Sequence, residues 1–112
     1  MIEKLRRGDV VIGADRTDYL DKPRPMLVVQ AEKYLGRVDS VTVCPIISTE
    51  IEAPLFRIAI AAMSENGLDE SSFISVDKIT TVRAEKVRHV AGKVSEPTLR
   101  SVDEALRRWL AL

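Results

Sequence analysis

Helical periodicity is confined to the C-terminal end of this chain, so the rest must fold mainly as strands. In the final segment Leu99, Val102, Leu106, Trp109 and Leu110 recur at helical spacing. Arg100, Asp103, Glu104, Arg107 and Arg108 take the other sides. Ser95 suits an N-cap, and Glu96-Pro97 suit a first turn, where proline costs little and an acid favours the dipole. The pattern predicts an amphipathic helix that packs Trp109 against a sheet. Upstream, short runs rich in β-branched residues are broken by proline, glycine and charge. They predict strands over 9–13, 26–30, 40–47, 56–60, 72–79 and 89–94, with one helical turn within 81–87. The fold class is therefore mostly β with a C-terminal α-helix. Short strands joined by polar turns predict a strongly bent sheet or a small open barrel closed by that helix.

Several residues refine this outline. The nearly continuous apolar run 26–30 suits a central strand buried on both faces. Pro45 cannot donate to a ladder, so it marks an edge, a bulge or a bend. Pro54 breaks the segment before the fourth strand, and Asn66-Gly67 signals a turn. Residues 14–24 form a polar loop ending in Pro23-Arg24-Pro25, where two prolines enforce extended backbone and exclude helix. That loop presents Arg24 in a stiff setting.

The chain has 112 residues, enough for one domain spanning 1–112. Hydrophobic residues make up 46% and charged residues 30%, a globular composition. Lys plus Arg and Asp plus Glu are each 17, which excludes a large uniform basic field but not a local basic patch. Cys44 is the only cysteine, so no internal disulfide and no cysteine-based zinc site is expected, and the compartment is expected to be reducing. No secretory signal or membrane-length apolar run is read, so the expectation is a soluble cytoplasmic protein.

Most familiar chemical constellations are missing from the sequence. His89 is the single histidine and reads as a surface or structural residue. There is no Gly-rich dinucleotide fingerprint and no P-loop, so no cofactor is expected. Arg7-Gly8-Asp9 spells an adhesion tripeptide but reads as a turn before the first strand. Arg24 between its prolines, and Ser48-Thr49 just past a strand end, remain. A guanidinium on rigid backbone beside hydroxyls suits a phosphate group.

The order of these pieces carries a resemblance. Arg-Gly-Asp-Val comes first, then Lys-Pro-Arg-Pro-Met-Leu-Val-Val-Gln and Val-Thr-Val-Cys-Pro-Ile-Ile-Ser-Thr-Glu. Ser-Phe-Ile-Ser-Val-Asp-Lys-Ile-Thr-Thr-Val and Val-Ser-Glu-Pro-Thr-Leu follow, with Val-Asp-Glu-Ala-Leu near the end. Over residues 6 to 112 the chain resembles the MazF/PemK toxin family. The resemblance implies an SH3-like barrel of the PemK/CcdB type, a homodimer and a cognate antitoxin. It also implies a metal-independent endoribonuclease that cuts single-stranded RNA at short sequences.

The resemblance further assigns roles. The arginine before a proline falls on Arg24, and the hydroxyl after the third strand on Ser48, with Thr49 competing. The acid of the family's Asp-Gln-Ile-Arg-Thr segment falls on Asp77. There Lys78 replaces the glutamine and Thr80 stands where arginine is common. RNA contacts are expected from Arg16, Lys22, Glu50 and Lys78. In the implied reaction the 2′-hydroxyl attacks the adjacent phosphorus, giving a 2′,3′-cyclic phosphate and a 5′-hydroxyl. Arg24 would steady charge on the phosphorane, Ser48 or Thr49 would bond a non-bridging oxygen, and Asp77 would accept the 2′-hydroxyl proton or serve as a structural carboxylate. Aromatic residues are only 4%, so base stacking would rest on Phe56, Tyr19 or Tyr34. Two other readings stand beside this one. One is a CcdB-like relative that poisons a protein such as gyrase through the apolar C-terminus. The other is an inert relative that binds RNA or antitoxin without cutting.

Overall fold

The computed structural model describes residues 4–13, 23–49, 53 and 55–112. The strands are β1 (Asp9–Gly13), β2 (Arg24–Val28), β3 (Ser40–Ile47), β4 (Arg57–Ile60), β5 (Ser72–Ser75), β6 (Thr80–Arg83) and β7 (Val87–Lys93), followed by helix α1 (Glu96–Leu110). Every pairing is antiparallel. The strand path runs β4-β5-β3-β2-β1-β7, with β6 also on β3. Its two ends are not paired as strands. They are drawn together by the β4–β5 connection, where the Lys93 amide donates to the Glu65 carbonyl at 2.9 Å. The result is a strongly bent, incompletely closed barrel.

Strand alternation divides the interior into two cores. On one face Val10, Leu27, Val29, Cys44, Ile46 and Ile74 pack under Val102, Ala105 and Leu106 of α1. On the other face Val11, Met26, Val28, Val41, Val43, Val82 and Val87 pack together. β2 lies between β1 and β3, as its unbroken apolar run requires. The apolar faces of β2 and β3 are thus covered within one chain. They do not supply the exposed surface that would by itself call for a dimer. The exposed large apolar side chains lie elsewhere, among them Leu55, Met63, Trp109 and Leu110.

Pro45 has a specific place. β3 pairs with β6 through Val43 and with β5 from Ile46 onward. Pro45 sits between the two partners, opposite the break that the 3-10 turn Val76–Lys78 makes between β5 and β6. A residue without an amide proton loses nothing there. The predicted strand 72–79 is therefore the shorter β5 followed by this turn, which carries Asp77, and β6 is a further strand that begins at Thr80 and runs into the residues expected to hold a helical turn. The helical turn predicted within 81–87 is the 3-10 turn Ala84–Lys86.

α1 begins as its sequence predicts. Ser95 is the N-cap, and its hydroxyl accepts from the Thr98 amide at 3.4 Å. Trp109 differs from expectation. It is 45% exposed and rests edge-on against Phe56, with ring centroids 5.0 Å apart, rather than filling the core. Arg7 ties the chain start to the helix, donating to the Val29 carbonyl at 2.7 Å and to Asp103 at 2.7 Å. Gly8 makes the turn before β1 at a φ of 97°, a left-handed conformation that favours glycine. No helix among the described residues is long and apolar enough to cross a membrane.

Two buried polar groups give direct predictions. Cys44 is fully buried, and burial pushes its thiol up to about 12, with Asp77 adding to the rise and Arg7 opposing it. Thiol titration with an aromatic disulfide reagent will leave Cys44 unmodified in the native protein and label it fully after urea unfolding. Ser75 is also fully buried, and its hydroxyl has no hydrogen-bond partner among the described residues. Such a group carries its desolvation cost uncompensated. Ser75→Ala is expected to raise stability by about 1 kcal/mol, read as a higher urea midpoint at unchanged slope.

Candidate active site

The two segments singled out in the sequence meet in one groove. Arg24 opens β2 and lies opposite Gly13 of β1. Pro23 and Pro25 hold its backbone extended, and its side chain is exposed. Gly13 is glycine for steric reasons, because a Cβ there would come within 2.8 Å of both the Lys86 carbonyl oxygen and the Met26 methyl. β3 ends at Ile47, and the chain leaves it through exposed Ser48 and Thr49. Pro23, Arg24, Pro25, Ser48 and Thr49 line a groove of about 330 Å³, floored by Ile46 and Ile47. That volume is at the small end of ligand sites and suits about one nucleotide.

The flank formed by the segment entering β5, which pairs beside the β3 exit, was not anticipated from the sequence. It consists of Leu68, Asp69, Glu70 and Ser72. The turn before it is firmly built. The side-chain oxygen of buried Asn66 accepts from the amides of Met63 at 3.1 Å and Leu68 at 3.0 Å, and its amide donates to the Ala61 carbonyl at 2.9 Å. Gly67 adopts a φ of 68° directly against the Ala91 backbone. Ser72 Oγ donates to the Glu70 carbonyl at 2.9 Å. The Asn-Gly signal marked the turn in the sequence. Nothing in the local pattern told that its exit would line a groove shared with Arg24.

Asp77 is not among the residues lining this groove. Its carboxylate takes a two-point hydrogen bond from Arg57, with Nε to Oδ1 at 2.6 Å and Nη2 to Oδ2 at 3.0 Å. The Arg57 side chain is 4% exposed and that of Asp77 23%. These hydrogen bonds hold the Asp77 carboxyl below the usual range, against the opposing effect of burial. Asp77 is the counter-charge of a buried arginine, the structural role left open by its sequence. Lys78 follows it on the same turn, is exposed, and does not line the groove. Arg16, Lys22, Glu50 and Tyr19 lie outside the described residues. Tyr34 is exposed beside Lys33, and Phe56 is occupied by Trp109.

Comparison with known proteins decides the family. Residues 6–110 match the family described as PemK-like, MazF-like toxin of type II toxin-antitoxin system. The chain belongs to the PemK/MazF toxin family. A Mycolicibacterium smegmatis protein named "Probable endoribonuclease MazF" is 36% identical to this PemK/MazF toxin over 108 residues, covering 96% of this chain and 98% of the relative. Among solved structures, Mycobacterium tuberculosis toxin MazF-mt6 superimposes with a TM-score of 0.78 at 23% identity, covering 93% of this chain and 97% of that one. An endoribonuclease from a mycobacterial species, solved with its cognate antitoxin, gives a TM-score of 0.76 at 20% identity, with 96% of each chain covered. The two structures share the PemK/MazF fold with this protein.

Proposed function

We propose that this MazF-like toxin is an endoribonuclease that cuts single-stranded RNA in the groove between Arg24 and Ser48-Thr49. The observation that carries the proposal is the convergence of a stiffly held arginine and two hydroxyls on one nucleotide-sized groove. The nucleophile comes from the RNA itself. Its 2′-hydroxyl oxygen bonds to the adjacent phosphorus as the bond from phosphorus to the 5′-oxygen breaks. The 2′-hydroxyl gives up its proton and the leaving 5′-oxygen takes one up, so the products are a 2′,3′-cyclic phosphate and a 5′-hydroxyl with no net gain of protons.

The protein's work is alignment and charge stabilisation. Arg24 stays charged at any working pH and offers a planar fork to the phosphate oxygens as negative charge grows on them. Ser48 and Thr49 supply neutral donors to a non-bridging oxygen. Single-stranded RNA is favoured because a narrow groove admits an unpaired nucleotide and not a duplex. A homodimer neutralised by a cognate antitoxin in the cytoplasm completes the proposal.

Purified protein incubated in EDTA with end-labelled single-stranded RNA tests this reading. Discrete fragments are expected, and their new 5′ ends should accept phosphate from polynucleotide kinase without prior phosphatase treatment. New 5′-phosphate ends, or intact RNA of every sequence, would contradict it. Gyrase-dependent growth arrest with intact RNA would point instead to a protein target.

A further inference from the structure

We propose that Asp69 and Glu70 read a nucleobase in the groove, selecting a base that presents an amino donor and rejecting uracil. The inference rests on the nuclease reading above and adds its sequence selectivity. The two walls of the groove have opposite chemistry. Arg24 at the start of β2 flanks the β3 exit on one side, Asp69 and Glu70, leading into β5, flank it on the other, and the Ser48 and Thr49 hydroxyls lie between them. A phosphodiester is attracted to the first wall and repelled by the second. A bound nucleotide is therefore oriented, with its phosphate toward Arg24 and its base toward the acids.

An ionised carboxylate only accepts hydrogen bonds, so it ranks the bases by the donors on their exposed edges. Guanine offers two adjacent donors, N1–H and the N2 amino group, matching the two oxygens of one carboxylate. Cytosine and adenine offer one amino group each. Uracil offers a single N3–H flanked by two carbonyl oxygens that a carboxylate repels. The wall is also fixed in advance. The Asn66 side chain, the left-handed Gly67 and the Ser72 hydroxyl hold the backbone on both sides of Asp69 and Glu70. A fixed backbone limits the positions the two exposed carboxylates can reach, which is what lets them discriminate.

The test uses the full chain and a random pool of 2′-fluoro RNA, which has no 2′-hydroxyl and so cannot be cut. Bound RNA is sequenced for wild type and for the double variant Asp69→Asn/Glu70→Gln. The expected wild-type motif has one position where amino-bearing bases are favoured over uracil by about 5- to 100-fold. The double variant should lose that discrimination and admit uracil. A wild-type motif that tolerates uracil everywhere, or no motif at all, would overturn the proposal. So would a double variant that keeps the wild-type motif, including one that only binds every sequence more weakly. Cleavage of ordinary RNA in parallel separates the two claims. Base selection without cutting would refute the nuclease reading alone, and cutting without base selection would refute the acidic reader alone.

Discussion

Arg24→Ala is expected to fold normally and to cut single-stranded RNA at least about 100-fold more slowly than wild type. The side chain is exposed at the very start of β2, so its removal leaves no cavity in either core. What is lost is the cation that, on the proposed reading, meets the RNA phosphate in the groove. In phosphoryl chemistry of this kind the negative charge on the non-bridging oxygens rises toward the transition state. A preorganised donor then contributes more to the rate than to binding. The loss should appear mainly in kcat. Arg24→Lys should recover only part of it, because an ammonium is a point charge without the bidentate fork. Circular dichroism and the urea midpoint, both unchanged, will separate this effect from misfolding.

Asp77→Ala is expected to do the opposite, costing stability and sparing the groove. It leaves Arg57 buried without its counter-charge, a change of about 3 kcal/mol. For a domain of this size that lowers Tm by roughly 10–20 °C. Replacing both partners with apolar residues, as in Arg57→Met/Asp77→Leu, should recover most of the loss. At a temperature where Asp77→Ala is still folded, it should cut RNA at close to the wild-type rate. A large loss of kcat in a folded Asp77→Ala protein would instead make Asp77 the proton acceptor.

The same pair sets a pH dependence. The Asp77 carboxyl is held below its unfolded value of 3.8. Its contribution is therefore complete above that pH and is lost as pH falls from 3.8 through the lower folded value. Urea midpoints measured from pH 5 downward should fall more steeply for wild type than for the double apolar variant.

The two kinds of residue were not equally legible in the sequence. β1 and β3 have the predicted bounds because short β-branched runs ended by glycine or a polar exit leave little choice. Arg24 was legible because two prolines announce a stiff backbone, and Ser48-Thr49 because they follow a strand end. The early end of the strand predicted over 72–79 was not, since Val76 and Ile79 carry its apolar pattern through the 3-10 turn, and β6 was not, since only its pairing with β3 reveals it. Arg57 and Asp77 lie too far apart in the chain for any helical or hairpin spacing to join them. Their pairing is a product of β4 meeting β5, as Arg57 opposite Ser75 makes plain. Asp69 and Glu70 read as an ordinary polar loop for the same reason. Their place near Arg24 follows from β2 and β5 both pairing with β3, which no local pattern announces. Trp109 had the right spacing for the core, but it lies in the last turn of α1, half exposed, with its ring edge-on to Phe56.

Single-turnover cleavage of one single-stranded RNA in EDTA, by wild type and by Arg24→Ala side by side, bears most directly on the groove. The account predicts fragments with 5′-hydroxyl ends from wild type, and a rate at least about 100-fold lower from a fully folded Arg24→Ala. Equal rates from the two proteins, or an RNA that neither one cuts whatever its sequence, would contradict it.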